Sequence, residues 1–229
     1  MKISLKKCLS ALFCALLLGA LSLSLTACGG NPPSASPTVS PSVAPSSSPT
    51  VTPSVPPSTA EKPRIVITLA DGRTMTAELY PEIAPITVAR VLAVVDQGLY
   101  DGVIFHRVIK DFMIQTGGFI PGESGLLQLS AGGIYGEFLA NGWYNPLQHV
   151  AGVLSMARAT DYNSGGAQFF ICTENRPQWD GYYAAFGRLV DAESLAVAID
   201  ISKVPTGAKY VFSSDAPLTD VIVASIRRA

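Results

Sequence analysis

Apolar residues recur at every second position in several short runs of this chain and at helical spacing in two longer ones. Ile65, Ile67 and Leu69 alternate with Val66 and Thr68, and Asp71-Gly72 is a turn signal between Arg64–Ala70 and Arg73–Tyr80, so this stretch is expected to be a hairpin. Pro85 opens a pattern in which Val88, Val91, Leu92, Val95 and Leu99 share a helical face. Proline in the first turn and Gly98 at the end fit the rules for helix starts and stops. Val103 to Phe119, written VIFHRVIKDFMIQTGGF, reads as two short strands broken at Lys110-Asp111. Val103, Phe105, Arg107 and Ile109 fall on one face of the first, with Ile104, His106 and Val108 on the other. Val150–Ala157, Gln168–Thr173 and Ala184–Val190 read as further strands, and Leu218–Ile226 as a closing strand. Asp191–Ile201 reads as a second helix capped by Asp191. Phe119 to Gln148 has little regular pattern, and a stretch of that length inside a domain tends to be functional. Many short strands with two helices predict a mainly β fold, a closed antiparallel barrel with helices over its ends.

The N-terminal quarter has a different character. Lys2, Lys6 and Lys7 precede Leu9 to Ala27, a run without charge that is long enough to span a membrane. It ends in Leu25-Thr26-Ala27-Cys28-Gly29, which resembles the lipobox of bacterial lipoproteins, where the cysteine thiol is lipidated and becomes the new N-terminus. An uncleaved anchor helix is the alternative. Either reading puts the body outside the cytoplasm, held at the membrane, and two or more acyl chains at Cys28 would hold it firmly. Residues 1–27 are thus expected to be a signal peptide and 28–63 a lipidated cysteine with a linker rich in Pro, Ser and Thr. Ser36–Val43 returns almost unchanged as Ser48–Val55, but repeats this polar bury no core. Extended polyproline conformations would give the linker a reach of roughly 100 Å. A glycosylated or substrate-like stalk is the other reading.

Charge and cysteine usage narrow the partners of residues 64–229. The chain has 16 Lys and Arg; less the three leader lysines this leaves 13, against 17 Asp and Glu, a net −4. There is no basic stripe to neutralise phosphates, so nucleic acid is not an expected partner. Cys8 and Cys14 belong to the leader and Cys28 to the lipobox, so Cys172 alone remains for the domain and no disulfide is expected within it. In its apolar surroundings, Phe-Phe-Ile-Cys-Thr, the Cys172 thiol is expected to be inert, which weakens any nucleophile pairing with His106 or His149. Two histidines without a ligand cluster leave no convincing metal site. Arg107 is the unusual group: a guanidinium is rarely set among apolar neighbours without a partner or a purpose. An exposed arginine on an edge strand remains the alternative at this point.

Taken in order, the segments FHRVI, FMIQ, YGEF, GVLSMA, QFFICT and DG..AAFG resemble the cyclophilin-type peptidyl-prolyl isomerases from Arg64 to about Ile226. The resemblance implies a barrel of about eight strands and catalysis of X–Pro isomerisation without nucleophile or cofactor. It implies that Arg107 is the catalytic cation and that Phe112, Met113 and Phe170 line a proline pocket. Gln115 and Gln168 match glutamines that bind the substrate backbone and orient the arginine, and Trp179, Tyr183 and Ala157 match further wall positions. The implied partners are proline-containing polypeptides, and the domain is expected to act as a monomer. The chain departs from the family pattern at four places. Arg158 stands where asparagine is common, Gly118 where aspartate is common, and Gln178 where members that bind cyclosporin tightly have tryptophan; the loop Thr160–Ala167 is a residue longer. Arg158 is either a second cation near the substrate, favouring acidic peptides, or a solvated loop arginine. Two function classes follow: an extracytoplasmic isomerase that helps exported proteins fold, and a proline-peptide binding module or holdase on the same fold. A wall-associated structural protein is a third.

Overall fold

The computed structural model describes residues 62–229, Ser124 and the side chain of Ser213 apart. The expected signal peptide, the lipidation site Cys28 and the linker up to Glu61 lie outside the described residues.

The first two strands, β1 (Arg64–Leu69) and β2 (Thr74–Leu79), form the expected hairpin, with Ile65, Ile67, Leu69, Met75, Ala77 and Leu79 all turned inward. Gly72 in the turn has φ +88°, a backbone region that glycine enters without steric cost. The helix α1 (Pro85–Asp96) buries Thr87, Val88, Val91, Leu92, Val94 and Val95. Each such aliphatic side chain taken out of water contributes about 1.5–3 kcal/mol. Its N-cap, Ala84, has no side chain to bond the first N–H groups. Glu137 does so from far along the chain, its fully buried carboxylate accepting from the amides of Ile86 at 2.9 Å and Thr87 at 2.8 Å. A carboxylate at a helix N-terminus meets both unsatisfied donors and a favourable dipole.

Then follow β3 (Arg107–Ile109), β4 (Met113–Thr116), a separate hairpin of β5 (Phe119–Gly122) and β6 (Gly125–Gln128), β7 (Val153–Met156), β8 (Phe169–Cys172) and β9 (Ala185–Leu189). The second helix α2 (Ala192–Ser202) is capped as expected: the Asp191 carboxylate accepts from the Ser194 amide at 2.7 Å. A further hairpin, β10 (Thr206–Lys209) and β11 (Phe212–Pro217), precedes β12 (Val223–Arg228). Neither β5–β6 nor β10–β11 is marked by apolar alternation in the sequence.

Eight strands make one antiparallel sheet in the order β12-β1-β2-β9-β7-β8-β4-β3. The expected closed barrel is corrected here: the sheet is a curled, open half-barrel. Its edge strands β3 and β12 do not pair as strands. Between them lies a single bridge, Ile104 with Ile222, and a few backbone bonds such as Phe105 N–H to Val221 O and Val223 N–H to Val103 O. The reason lies in Gly102–Phe105, of which Val103–Phe105 is expected to be strand. Its backbone divides its hydrogen bonds between Val221–Val223 and Phe119, so regular pairing begins only at Arg107. Val103 and Phe105 are buried while Arg107 is turned outward, so the expected common face for all three does not form.

Candidate active site

The pleat of β3, β4 and β8 divides their side chains between two clusters. Val108, Ile114, Phe169 and Ile171 enter the main core, while Met113, Phe170 and Cys172 form a second cluster on the other face, with Ile109, Phe112, Ala157, Trp179 and Tyr183 packed around it. Register then aligns the site. Arg107 pairs directly with Gln115, Gln115 with Phe170, and Phe170 with Ser155, so one row crosses β3, β4, β8 and β7. Directly paired residues project to the same face. The row places a cation, an amide and an aromatic ring side by side at the mouth of an apolar cup.

Aromatic contacts shape the cup. Phe112 lies 4.5 Å from Trp179, Phe170 lies 5.1 Å from Trp179 and 5.7 Å from Tyr183, and the Arg176 guanidinium covers Phe112 at 4.8 Å. Phe169, the neighbour of Phe170, points into the main core, as adjacent strand residues must. Beside the row, the Gln115 side-chain amide donates to the Gln168 side-chain oxygen at 3.0 Å. These glutamines face a groove of about 510 Å³ that is also lined by Ala157, Arg158 and Ala167. The structure thus gathers Arg107, Phe112, Met113, Gln115, Phe170, Trp179 and Tyr183 around the row and cup, with Gln168, Ala157 and Arg158 along the adjoining groove.

Arg158 is half-buried and its donors are engaged. Its Nε and Nη2 donate to the Tyr182 carbonyl at 3.2 and 3.0 Å, and its Nη1 to the Ala159 carbonyl at 3.0 Å. Its guanidinium lies 4.6 Å from the Tyr183 ring and 4.8 Å from that of Tyr162. It meets the cup at the Tyr183 ring.

Two features were not legible in the sequence. Beneath Phe170, the His149 ring stacks at 6.1 Å, its Nδ1 2.9 Å from Asp180 Oδ1 and its Nε2 3.0 Å from Ser155 Oγ. The order Ser–His–Asp matches a nucleophile relay in connectivity. Ser155 and His149 are buried under the cup, however, and burial lowers the His149 pKa against the opposing pull of Asp180, so the chain braces Phe170 and offers no accessible nucleophile. Cys172 is likewise fully buried, and desolvation pushes its thiol up to about 12, which keeps it protonated. The second feature is Asp215, on β11, whose Oδ2 accepts from Arg107 Nε at 3.2 Å. Among the described residues no three His, Cys, Asp or Glu side chains gather to hold a metal ion, and no helix is long and apolar enough to cross a membrane.

Comparison with known proteins identifies the family. The family model described as "Cyclophilin type peptidyl-prolyl cis-trans isomerase/CLD" matches residues 64–228. Peptidyl-prolyl cis-trans isomerase B of Bacillus subtilis is 40% identical over 128 residues, 56% of this chain and 84% of that protein. A peptidyl-prolyl cis-trans isomerase of Synechococcus elongatus is 42% identical over 124 residues, 54% of this chain and 79% of that one. The chain spans only 38% of a Streptococcus pyogenes protein named as a bifunctional phosphatase/peptidyl-prolyl cis-trans isomerase, at 35% identity. Among solved structures, a Cryptosporidium parvum cyclophilin type isomerase crystallised in the presence of the dipeptide Ala-Pro superposes with a TM-score of 0.57 at 28% identity, covering 72% of this chain and 98% of that one. The chain belongs to the cyclophilin-type peptidyl-prolyl cis–trans isomerases.

Proposed function

We propose that this isomerase is held outside the cytoplasm by lipid on Cys28 and speeds the folding of exported proteins by rotating their X–Pro bonds at the Arg107 site. The observation that carries the site assignment is the row Arg107–Gln115–Phe170, which sets an exposed cation beside an apolar cup. Rotation about a peptide bond is opposed by a resonance barrier of ~18–20 kcal/mol. In the twisted amide the proline nitrogen regains a lone pair. A guanidinium N–H donated to that nitrogen stabilises the twisted state more than the planar one, and each ~1.4 kcal/mol of the difference is worth tenfold in rate. Met113, Phe112, Phe170, Trp179 and Tyr183 hold the proline ring, and Gln115 and Gln168 bind the peptide backbone. The Cryptosporidium relative's Ala-Pro dipeptide supports a proline-peptide ligand. The anchoring rests on the charged start, apolar run and Leu25-Thr26-Ala27-Cys28 of the sequence.

Exchange spectroscopy by NMR on an X–Pro peptide tests the site. Wild type should catalyse exchange, and Arg107→Ala should lose most of it while still shifting the peptide's resonances. Arg107→Lys should rescue poorly, since an ammonium lacks the planar fork. Equal exchange with wild type and Arg107→Ala would sink the mechanism. Peptide shifts without catalysed exchange by the wild type would favour the binding-module reading. Palmitate labelling that depends on Cys28 would support the anchor, and no label on the wild-type protein in a lipoprotein-competent bacterium would refute it.

A further inference from the structure

The β10–β11 hairpin lies against the strand that carries the site. Phe212, at the start of β11, stacks on His106 at 5.4 Å and meets Phe119 edge-on at 5.2 Å. His106 is the residue before Arg107, so the hairpin grips one side of this chain segment with an aromatic ring. It reaches the other side with a carboxylate, since Asp215 Oδ2 accepts from Arg107 Nε. That carboxylate is itself oriented: its other oxygen accepts from the Ser214 hydroxyl at 2.7 Å. The neighbouring acid, Asp220, is engaged elsewhere, by Lys209 at 2.9 Å and the Tyr210 hydroxyl at 2.6 Å.

The form of the Arg107 contact separates two roles. Arg227 and Arg228 are clasped through two nitrogens each by Asp101 and Asp96, at 2.6–2.7 Å. Arg107 is held by one longer bond, through Nε, and among the described residues nothing else bonds its guanidinium. A fork held only at its Nε leaves both terminal nitrogens available as donors. A contact that blocked the arginine would occupy those terminal donors.

Resting on the reading of Arg107 as the catalytic cation, we propose that Asp215 is a positioning residue that fixes the plane of the Arg107 guanidinium for the twisted amide, and that the β10–β11 hairpin is thereby part of the active site. Reactive geometry is sensitive to small misplacements, so the loss should fall on turnover and spare peptide binding. Asp215→Ala should lower turnover at saturating peptide by about three- to fivefold with the peptide dissociation constant unchanged. Asp215→Asn, which keeps an acceptor oxygen but not the charge, should fall between it and wild type. The Nε–Hε signal of Arg107 in a ¹⁵N spectrum should be sharp and shifted in wild type, and should move towards the solvent-exposed arginine position in Asp215→Ala. A thermal melt close to wild type checks that the fold is intact. If Arg107→Ala abolishes exchange but Asp215→Ala leaves turnover and the Nε–Hε signal unchanged, this inference fails and the catalytic reading stands. If Asp215→Ala raises turnover, the carboxylate restrains the arginine and the positioning role is overturned. If Arg107→Ala itself leaves exchange intact, both fall together.

Discussion

The Gln168 side chain, which accepts the Gln115 amide at 3.0 Å, lies so close over Gly118 that a Cβ there would stand 2.5 Å from its Cδ. Gly118 therefore has no room for a side chain while Gln168 keeps this position. The atoms in conflict belong to the flexible end of a glutamine, so Gly118→Ala should fold and displace Gln168. Gln115 then loses its partner, and peptide binding should weaken by about three- to tenfold, the worth of one ordinary hydrogen bond. Isothermal titration with a proline peptide measures this, and unchanged affinity would mean that the glutamine pair does not hold substrate. The adjacent Gly117 is constrained differently: its φ is +81°, and a Cβ would meet the Ala167 carbonyl oxygen at 2.5 Å, where backbone cannot yield.

The pair of glutamines also marks how far the sequence could be read. The β1–β2 hairpin and both helices were legible because each carries its own punctuation, Asp71-Gly72, Pro85 and Asp191. Phe112, Met113 and Phe170 were legible through contiguous family motifs, FMIQ and QFFICT, and Trp179 and Tyr183 through their places beside and within DG..AAFG. What was not legible depends on long-range closure. Asp215 reaches Arg107 across 108 positions and sits on a polar hairpin, Phe-Ser-Ser-Asp-Ala-Pro, that alternation does not reveal. Strand count suggests a closed barrel but sets no edge geometry; the backbone bonds of Gly102–Phe105 are divided between two partners and leave the ladder open.

Glu137 gives a stability prediction. Its carboxylate is fully buried and accepts two amides at the start of α1, which has no side-chain cap of its own. Glu137→Ala should cost about 2–4 kcal/mol, because two buried N–H groups lose a charged acceptor. Glu137→Gln keeps one acceptor oxygen but turns an NH₂ donor on the other buried N–H, so with the lost charge–dipole attraction it should cost about 1–3 kcal/mol, less than the alanine variant. Urea denaturation at neutral pH measures both, and a Glu137→Gln variant as stable as wild type would argue against a role for the charge.

Acid should destabilise the domain before its carboxylates protonate. Burial lowers the pKa of His106 from 6.5 to about 4, helped by the Arg107 charge and opposed by the Ile104 carbonyl and Gln168; the Phe119 and Phe212 rings flank it. Between those values the unfolded chain binds a proton that the folded chain refuses, so stability falls as pH drops from about 6.5 to about 4. The full loss is on the order of 3 kcal/mol for a shift of this size. His149, whose pKa is also lowered by burial, adds in the same direction. His106→Phe replaces the imidazole with a ring suited to the same aromatic neighbours and should flatten the dependence of the urea midpoint on pH. An unchanged slope in that variant would assign the acid sensitivity to other groups.

Arg158 separates two ways in which a cation can serve the site. As a free charge it would favour peptides with acidic residues near the proline, and its effect would fade with salt. Its geometry supports a different role. Three guanidinium nitrogens donate to the carbonyls of Tyr182 and Ala159, and its plane lies 4.6 Å from the Tyr183 ring that walls the cup. Arg158→Ala should therefore loosen Tyr183 and raise the dissociation constant of acidic and basic proline peptides alike, by about three- to tenfold, with turnover at saturation little changed. Arg158→Lys keeps the charge but cannot reach both carbonyls in the same plane, so it should resemble the alanine variant more than wild type. Parallel titrations of an acidic and a basic peptide series at low and high salt measure the difference. A loss confined to the acidic series and erased by salt would return Arg158 to the role of a free cation.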